Sequence, residues 1–279
     1  MEKMNQYLKA LNNCLNNGVD VESRAGKVRK AFGYQMRFDL KIGFPIITTK
    51  KMAWRSIVSE LLWFLEGSND ERRLAEIHYG KPKSELKDKS TIWTRNLQAD
   101  YWKEKSQFDG DLGKIYGYQW RNFGGIDQIK DLIESLKNNQ DSRRHIISSW
   151  NPGQLKEMAL PPCHILAQFY VANNKISCQL YQRSCDMFLG VPFNISSYSL
   201  LTHILAKECN FEIGEFIHTL GDYHIYHAHL KQVKEQLKRD PKKLPSLKFD
   251  KKNIFKYSPD DFVLENYEHH PLIKAEMSV

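Results

Sequence analysis

The sequence of 279 residues lacks the features that mark membrane, secreted and metal-stapled proteins. No run approaches the ~20 consecutive apolar residues of a membrane-spanning helix. The start, Met-Glu-Lys-Met-Asn-Gln, has no apolar core of a signal peptide. Cysteine is scarce and odd in number, with five residues and no Cys-x-x-Cys pair. These absences argue against a metal site and predict reduced thiols in a cytoplasmic protein.

Acidic residues are in deficit, 33 against 41 basic ones, so the net charge is +8. Such a charge attracts nucleic acid, an anionic membrane or a small anionic substrate. The basic stretch 231–243 is interrupted by Glu235 and Asp240, as on a solvated helix face, and zinc-finger, RNP and basic-zipper patterns are missing. We therefore expect a small phosphorylated ligand, with no membrane and no nucleic acid as the main partner.

The apolar pattern predicts an α+β fold with a mixed β-sheet and flanking helices, as a single domain over residues 1–279. The predicted helices are 5–17, 54–65, 71–77, 126–136, 192–209 and 223–237. The predicted extended segments are 31–48, 145–150, 165–171, 176–182, 213–220 and 262–267, with Asn173-Asn174 as a hairpin turn. Residues 79–111 are polar and irregular, which predicts an exposed insertion.

Two prolines precede a cysteine in Leu160-Pro161-Pro162-Cys163-His164, at the head of an apolar strand. Prolines fix the backbone, and a rigid mount suits a nucleophile because a small misplacement costs rate. For this pentapeptide alone, a buried structural cysteine that follows a turn is the favoured interpretation.

Two pairs of residues are candidates for binding a phosphate group. Arg183 and Ser184 end a predicted strand, and a guanidinium with a hydroxyl binds phosphate. A positive charge near a cysteine also favours the thiolate. Arg143 and Arg144 precede another strand and converge on one anion only if they lie in a loop. The alternatives are an ion pair at the strand end for Arg183 and a solvated basic turn for Arg143 and Arg144.

Four further polar residues stand in apolar surroundings. Asn194 begins an apolar helix, where it is either a helix cap or an amide that complements N3–H and O4 of uracil. His224 and Tyr226 can bind a sugar hydroxyl. Glu60 lies inside an apolar helix, where a carboxylate is costly unless it is paired or functional, and burial raises its pKa. We favour a functional role for Glu60.

Together and in this order, these segments resemble thymidylate synthases over nearly the whole chain. The likeness is carried by Gly43-Phe44-Pro45, Thr48-Thr49-Lys50-Lys51, the helix that starts at Glu60, Ile92-Trp93, Ile115-Tyr116-Gly117, Gln119-Trp120-Arg121, Ser142-Arg143-Arg144, the segments 158–164, 178–184 and 188–195, and Gly221-Asp222 with His224 and Tyr226. The segments 79–111 and 121–125 are similar to those of phage members of the family.

The resemblance implies a homodimer that transfers a one-carbon unit from 5,10-methylenetetrahydrofolate to C5 of dUMP, giving dTMP and dihydrofolate without a metal. Cys163 would add to C6 of the base, and Glu60 would move protons through water. The residues implied in catalysis are Cys163, Glu60, Tyr116, His164, Asp186 and Asn194. Those implied in dUMP binding are Arg24, Arg183, Ser184, Asn194, His224 and Tyr226, with Arg143 and Arg144 reaching the phosphate site of the other subunit. Those implied in folate binding are Lys50, Trp93, Leu160, Asp186, Leu189, Gly190, Phe193 and Val279.

The chain departs from the family pattern in two places. The usual phosphate loop Arg-Thr-Gly-Thr-Gly-Thr is replaced by Arg24-Ala25-Gly26-Lys27-Val28-Arg29, and the usual Trp-Asp-Glu by Trp93-Thr94-Arg95. The first change leaves a stiffer and more basic loop. The second removes an acidic pair on the folate side. Both changes affect where the folate and its neighbouring water lie.

These departures leave the product open between two activities. Related hydroxymethylases share the first steps but add water instead of a hydride. Asn194 argues for dUMP and against dCMP, because cytosine reverses the donor and acceptor. It does not separate dTMP from 5-hydroxymethyl-dUMP, so a dUMP hydroxymethylase is the alternative. A non-catalytic nucleotide- or RNA-binding relative is a third interpretation, which Cys163 and Glu60 disfavour.

Overall fold

The structure, a computed structural model, describes residues 3–23 and 26–276. The helices are α1 (Asn5–Asn17), α2 (Trp54–Glu66), α3 (Glu71–Tyr79), α4 (Thr94–Leu97), α5 (Asp100–Lys103), α6 (Tyr116–Arg121), α7 (Gln128–Asn138), α8 (Gly190–Cys209) and α9 (Leu230–Leu237). The strands are β1 (Val19–Ser23), β2 (Gly26–Asp39), β3 (Ile146–Ser148), β4 (His164–Ala172), β5 (Lys175–Asp186), β6 (Glu212–Tyr226), β7 (Ser246–Lys248) and β8 (Val263–Glu265). Short 3₁₀ turns lie at Lys83–Glu85, Pro152–Glu157, His227–His229 and Pro259–Asp261.

A six-stranded sheet in the order β1-β2-β6-β5-β4-β3 forms the centre of the fold. Neighbouring strands in this sheet run antiparallel, except that β5 and β6 are parallel. Parallel neighbours need a crossover, and α8 supplies it between these two strands. The α+β class, the mixed sheet and the single domain predicted from the sequence are confirmed.

The two faces of the sheet differ in what covers them. Alternate residues on β4, such as Ala167 and Phe169, are buried in the core beneath the helices. The intervening Leu166 and Tyr170 are exposed by 36% and 65%, and Tyr181 on β5 by 36%. Because side chains alternate along a strand, one apolar face packs on helices while the opposite face carries exposed apolar groups.

Two helices show how the sequence places the core. Nearly all of α2 is buried from Ile57 to Leu65, and it ends at Gly67, whose positive φ of 79° suits glycine. The long helix α8 is apolar on all sides and is buried along most of its length. It packs against β5, β6 and α2, so its first turns lie beside the ends of the strands that carry the candidate site.

The predicted helix 223–237 is wrong in its first part. Residues 223–226 form the end of β6, a 3₁₀ turn follows, and α9 starts only at Leu230. Tyr223 and Ile225 point into the core, and the segment pairs with β2 on one side and β5 on the other. The predicted extended segment 31–48 is also too long, because strand pairing with β6 ends at Asp39.

Segment 79–111 contains both exposed and buried residues. Leu86, Trp93 and Trp102 are buried, and the indole Nε1 of Trp102 donates a 2.7 Å hydrogen bond to the carbonyl of Asp111. These three residues therefore do not belong to any exposed insertion within the segment. Its status as an insertion stays a prediction. In the described part of the chain, no helix is both long and apolar enough to cross a membrane.

Candidate active site

Cys163 stands immediately before β4, where two other parts of the fold hold its backbone. Its N–H donates a 2.7 Å hydrogen bond to the hydroxyl of Tyr116, and its carbonyl accepts a 2.7 Å bond from the N–H of Arg183. Cys163 is partly exposed. The other cysteines are all buried, namely Cys14, Cys178, Cys185 and Cys209. This difference favours a reactive thiol over the structural cysteine that the pentapeptide left open.

The surroundings of the Cys163 thiol contain both opposing and supporting influences on the thiolate. Burial raises the pKa of Cys163, while the positive charge of Arg183 and hydrogen bonding by Tyr116 and Ser184 lower it. The Nε of Arg183 also donates a 3.1 Å bond to the carbonyl of Pro162, and its guanidinium lies 5.3 Å from the ring centre of Trp150. These contacts hold a fixed cation next to the cysteine.

Glu60 is buried in α2 and is hydrogen-bonded to a neutral donor. Its Oε1 accepts a 2.7 Å bond from Nε1 of Trp93, which immediately precedes α4. Among the described residues no cation lies within ion-pairing distance of its carboxylate. Burial raises the pKa of Glu60 to about 7, and the indole hydrogen bond only partly opposes this rise. A carboxyl that titrates near neutrality is suited to both donating and accepting protons.

Aromatic rings connect the cysteine with the buried carboxyl. The ring of Tyr116 stacks on His164 with centroids 4.0 Å apart, and it lies 5.9 Å from the ring of Trp93. Nδ1 of His164 is 2.7 Å from the hydroxyl of Tyr198, and burial lowers the pKa of His164 to about 3. The imidazole is therefore neutral at physiological pH. Tyr116 and His164, both predicted site residues, are brought together with Cys163 and Glu60.

Tyr198 and Gln182 were not among the predicted site residues. Tyr198 follows Asn194 by four positions on α8, and residues at that spacing share a helix face. That spacing is a signal from which its proximity could have been predicted. Gln182 pairs with His164 across β4 and β5, and its Oε1 is 2.8 Å from Nε2 of His218. No short-range pattern indicates this second contact, because it joins strands distant in sequence.

Asn194 lies inside α8, which begins at Gly190. The helix-cap interpretation of Asn194 is therefore wrong. The residue is 8% exposed, and its amide is not among the fully buried side-chain polar groups that lack a hydrogen-bond partner in the described part of the chain. Its Oδ1 lies 3.9 Å from where a Cβ on Gly190 would stand. An amide that keeps some access within a mostly buried residue can offer both a donor and an acceptor to a polar ligand.

Asp186 and Lys50 stabilise the turn that leads into α8. Oδ1 of Asp186 accepts hydrogen bonds of 2.9 Å from the N–H of Phe188 and 3.2 Å from that of Leu189. Lys50 is buried, donates to the carbonyl of Phe188 and lies 3.6 Å from the centre of its ring. Burial lowers the pKa of Lys50 to about 7, against the influence of Asp186. The expected contact of Lys50 with the folate tail stays a prediction.

His224 and Tyr226 occupy the end of β6 beside the end of β5. His224 pairs with Asp186 across the two strands, and its Nδ1 is 3.1 Å from Oδ1 of Asp222. The rings of His224 and Tyr226 are 5.2 Å apart and nearly perpendicular. Strand pairing thus places both residues at the same end of the sheet as Ser184.

Arg143 and Arg144 lie in the loop before β3, as predicted for residues that converge on an anion. Both are exposed, and only their backbone atoms make hydrogen bonds to described residues: Gln168 Nε2 donates to the Arg143 carbonyl at 3.2 Å. Arg24 and Val279 fall outside the described residues.

The residues expected to contact folate supply an apolar lining near Gly190. Leu160, Leu189 and Phe193 are partly buried and pack against the core, which leaves part of each side chain accessible. Trp93 is buried beside Glu60. In the described part of the chain, no group of three or more His, Cys, Asp or Glu side chains is arranged to hold a metal ion.

The site combines a partly exposed thiol next to a fixed cation with a buried, titratable carboxyl, and aromatic side chains lie between them. This combination is typical of an enzyme that uses nucleophilic and acid–base chemistry. Comparison with known families agrees with this class. The thymidylate synthase family model matches residues 5–279, and the chain belongs to that family. Membership supports a folate-dependent one-carbon transfer to dUMP, with methylenetetrahydrofolate as co-substrate, in a family whose members are typically dimeric.

Proposed function

We propose that the protein is a thymidylate synthase in the strict sense, which converts dUMP to dTMP and releases dihydrofolate. The observation that carries the proposal is the connection from Cys163 through Tyr116 and Trp93 to Glu60, made by hydrogen bonds of 2.7 Å at either end. It joins a nucleophile to an acid–base group through neighbouring aromatic side chains.

Cys163 begins the reaction as the nucleophile. Its thiolate adds to C6 of the uracil ring, which makes C5 nucleophilic. The cation of Arg183 favours the thiolate against the cost of burial. Tyr116 holds the backbone N–H of Cys163 and so fixes the thiol relative to the ring it attacks.

The nucleotide is oriented by polar groups at the ends of β5, β6 and α8. The amide of Asn194 binds N3–H and O4 of the base, and His224 with Tyr226 binds the 3′-hydroxyl of the sugar. Arg183 and Ser184 bind the phosphate. This assignment is supported by the position of Asn194 in the first turns of α8 and by the placement of the other residues at one end of the sheet.

Glu60 acts on protons near C5 through water. Its pKa of about 7 lets it hold or release a proton at neutral pH. Methylenetetrahydrofolate would supply the one-carbon unit and, for dTMP, the hydride. Leu160, Leu189 and Phe193 would bind its ring and exclude bulk water from the reacting carbon.

Two subunits complete the phosphate site. The sheet face that carries Leu166, Tyr170 and Tyr181 leaves apolar side chains exposed, which favours its burial against a second copy. Arg143 adjoins this face, because its carbonyl is bonded to Gln168 of β4, between Leu166 and Tyr170. We therefore assign Arg143 and Arg144 to the phosphate site of the partner subunit.

Hydroxymethylation of dUMP is the second candidate. It is favoured by Thr94 and Arg95 at the position of the expected acidic pair, next to Trp93 on the folate side. A change there alters the water beside the reacting carbon. In that case water, and not a hydride, would be added, and tetrahydrofolate would be released.

Product analysis decides between the two candidates. The protein is incubated with dUMP and methylenetetrahydrofolate, and the mass of the nucleotide product is measured by mass spectrometry. Absorbance is followed at about 340 nm, because the formation of dihydrofolate raises it. We expect dTMP together with the rise in absorbance. A product of 5-hydroxymethyl-dUMP without that rise would overturn the proposal in favour of the hydroxymethylase.

A cysteine variant tests whether the turnover uses the proposed nucleophile. Cys163→Ala is expected to abolish turnover and retain dUMP binding, which equilibrium dialysis measures. Cys209→Ala, at the far end of α8, is the matched control and is expected to retain turnover. Turnover by the Cys163→Ala protein at the wild-type rate would exclude nucleophilic catalysis by this thiol.

A further inference from the structure

A second buried carboxylate, Glu71, lies at the start of α3, where the described residues show it fully enclosed. Its Oε1 accepts hydrogen bonds from the hydroxyls of Thr91 and Thr94, each 2.6 Å long. Its Oε2 accepts a 2.6 Å bond from Nε of Arg72. Both carboxylate oxygens therefore have defined partners, as a buried charge requires.

Arg72 links this carboxylate to the segment before the turn. Its side chain is only 11% exposed and forms an ion pair with Glu71. Its NH1 donates 3.1 Å hydrogen bonds to the carbonyls of Leu86 and Lys89. The Glu71–Arg72 pair thereby fixes the chain just before Thr91.

The same hydroxyls hold the turn that carries Trp93. The hydroxyl of Thr91 donates to Glu71 and accepts a 3.1 Å bond from the backbone N–H of Trp93. The hydroxyl of Thr94 donates to Glu71 and accepts a 2.8 Å bond from the N–H of Thr91. Trp93 in turn donates its indole N–H to Glu60. A continuous set of hydrogen bonds thus runs from Glu71 to Glu60.

We propose that Glu71 is a positioning residue of the active site, which holds the Thr91–Thr94 turn so that the indole N–H of Trp93 stays directed at Glu60. Glu71 itself touches neither ligand nor reacting atom. It also accounts for Thr94, where the family pattern led us to expect an acidic residue. The carboxylate at this turn comes from α3 instead, and Thr94 binds it.

The inference rests on the proposed role of Glu60, so its test has a readout that does not need turnover. The titration of Glu60 is followed by infrared difference spectroscopy of its protonated carboxyl, assigned by its loss in Glu60→Gln. Tyr116 and Tyr198 are the titratable groups that interact electrostatically with Glu60, and both have pKa values raised by burial. Neither ionises in the pH range of the Glu60 titration, so a change of its midpoint reports on the burial of Glu60 and on the indole hydrogen bond.

Glu71→Gln removes the negative charge and places a neutral amide next to the guanidinium of Arg72. A hydrogen bond from Trp93 stabilises the ionised Glu60, so its loss raises the Glu60 midpoint, by about one pH unit or ~1.4 kcal/mol. We expect kcat at neutral pH to fall about tenfold, with KM for dUMP little changed. Glu76→Gln is the matched control, a partly exposed carboxylate on the same helix that pairs with Arg73, and it is expected to leave the midpoint unchanged.

A double variant separates positioning from general loosening of the structure. In a Trp93→Phe background the indole donor is absent, so adding Glu71→Gln is expected to shift the Glu60 midpoint no further. An equal shift in both backgrounds would overturn the proposal. If Glu71→Gln does not fold, the Glu60 midpoint is measured in Thr91→Val, which removes only the hydroxyl that connects Glu71 with the backbone of Trp93. An unshifted midpoint in a folded Thr91→Val protein would likewise overturn it.

Discussion

The backbone N–H of Cys163 donates a 2.7 Å hydrogen bond to the hydroxyl of Tyr116. Cys163 precedes the first residue of β4, while Tyr116 begins α6, so the bond joins the sheet to the helical layer. The ring of Tyr116 is buried and stacks on His164, which keeps the hydroxyl in place. The position of the Cys163 thiol relative to the sheet is therefore fixed by the side chain of Tyr116, which belongs to the helical layer.

Replacement of Tyr116 by phenylalanine should lower kcat while the protein still folds. The change leaves the Cys163 N–H without its acceptor, a loss worth ~1–3 kcal/mol when a buried donor is unpaired. Because the thiol is then less well held, we expect kcat to fall by at least about tenfold. Steady-state kinetics measure this loss, with Tyr118→Phe as control, since among the described residues the Tyr118 hydroxyl accepts a hydrogen bond only from the side chain of Asn122. Wild-type kcat in folded Tyr116→Phe would contradict the role of this bond.

The raised pKa of Glu60 makes the free energy of unfolding depend on pH. Its pKa is raised from 4.5 to about 7 in the folded state. Below the unfolded value both states are protonated, so burial of Glu60 costs little. As pH rises from the unfolded pKa to the folded one, the unfolded state releases the proton first and the free energy of unfolding declines, by about 3 kcal/mol in all. Above the folded pKa this contribution is constant.

Urea denaturation across this pH range measures the effect. The decline attributed to Glu60 should disappear in Glu60→Gln, which stays neutral at all pH values. Glu66→Gln, on the same helix but in a surface ion pair with Arg73, should retain it. Identical pH profiles for the wild type and Glu60→Gln would show that Glu60 does not titrate in this range.

Local periodicity predicted much of the fold because the signals involved are short-range. The helix 5–17 was predicted with the bounds that α1 has, and the turn Asn173-Asn174 has the positive φ angles, 49° and 57°, that asparagine tolerates. The end of β6 could not be predicted in this way. Its residues 223–226 are held by pairing with β2 and β5, which lie far away in the sequence.

The candidate site shows the same division. An apolar helix around Glu60 was enough to predict a buried carboxyl with a raised pKa, and the structure confirms both. The hydrogen bond from Trp93 to Glu60, the acceptor role of Tyr116 and the Glu71 contacts depend on packing between distant segments. Such contacts have no periodic signature, so only the folded chain reveals them.

Asn194→Asp should change which base the enzyme accepts. An ionised carboxylate only accepts hydrogen bonds, so it cannot donate to O4 of uracil as the amide does, whereas the N4 amino group of cytosine can donate to it. We expect kcat/KM for dUMP to fall by about 100-fold and measurable turnover of dCMP to appear. Competition between the two nucleotides measures the change. Asn210→Asp, just past the end of the same helix, is the control, and unaltered selectivity in Asn194→Asp would mean that the amide does not bind the base.

A charge on the open face of the sheet should dissociate the proposed dimer. Tyr170 is 65% exposed in one subunit, so Tyr170→Asp should leave the fold of that subunit intact while placing a carboxylate in the interface. Sedimentation analysis is expected to show monomers, with dUMP affinity at least about tenfold weaker because Arg143 and Arg144 of the partner no longer reach the phosphate. Val263→Asp, 53% exposed on the separate strand β8, is the control that keeps the wild-type mass. A Tyr170→Asp protein that remains a dimer would place the subunit contact on another surface.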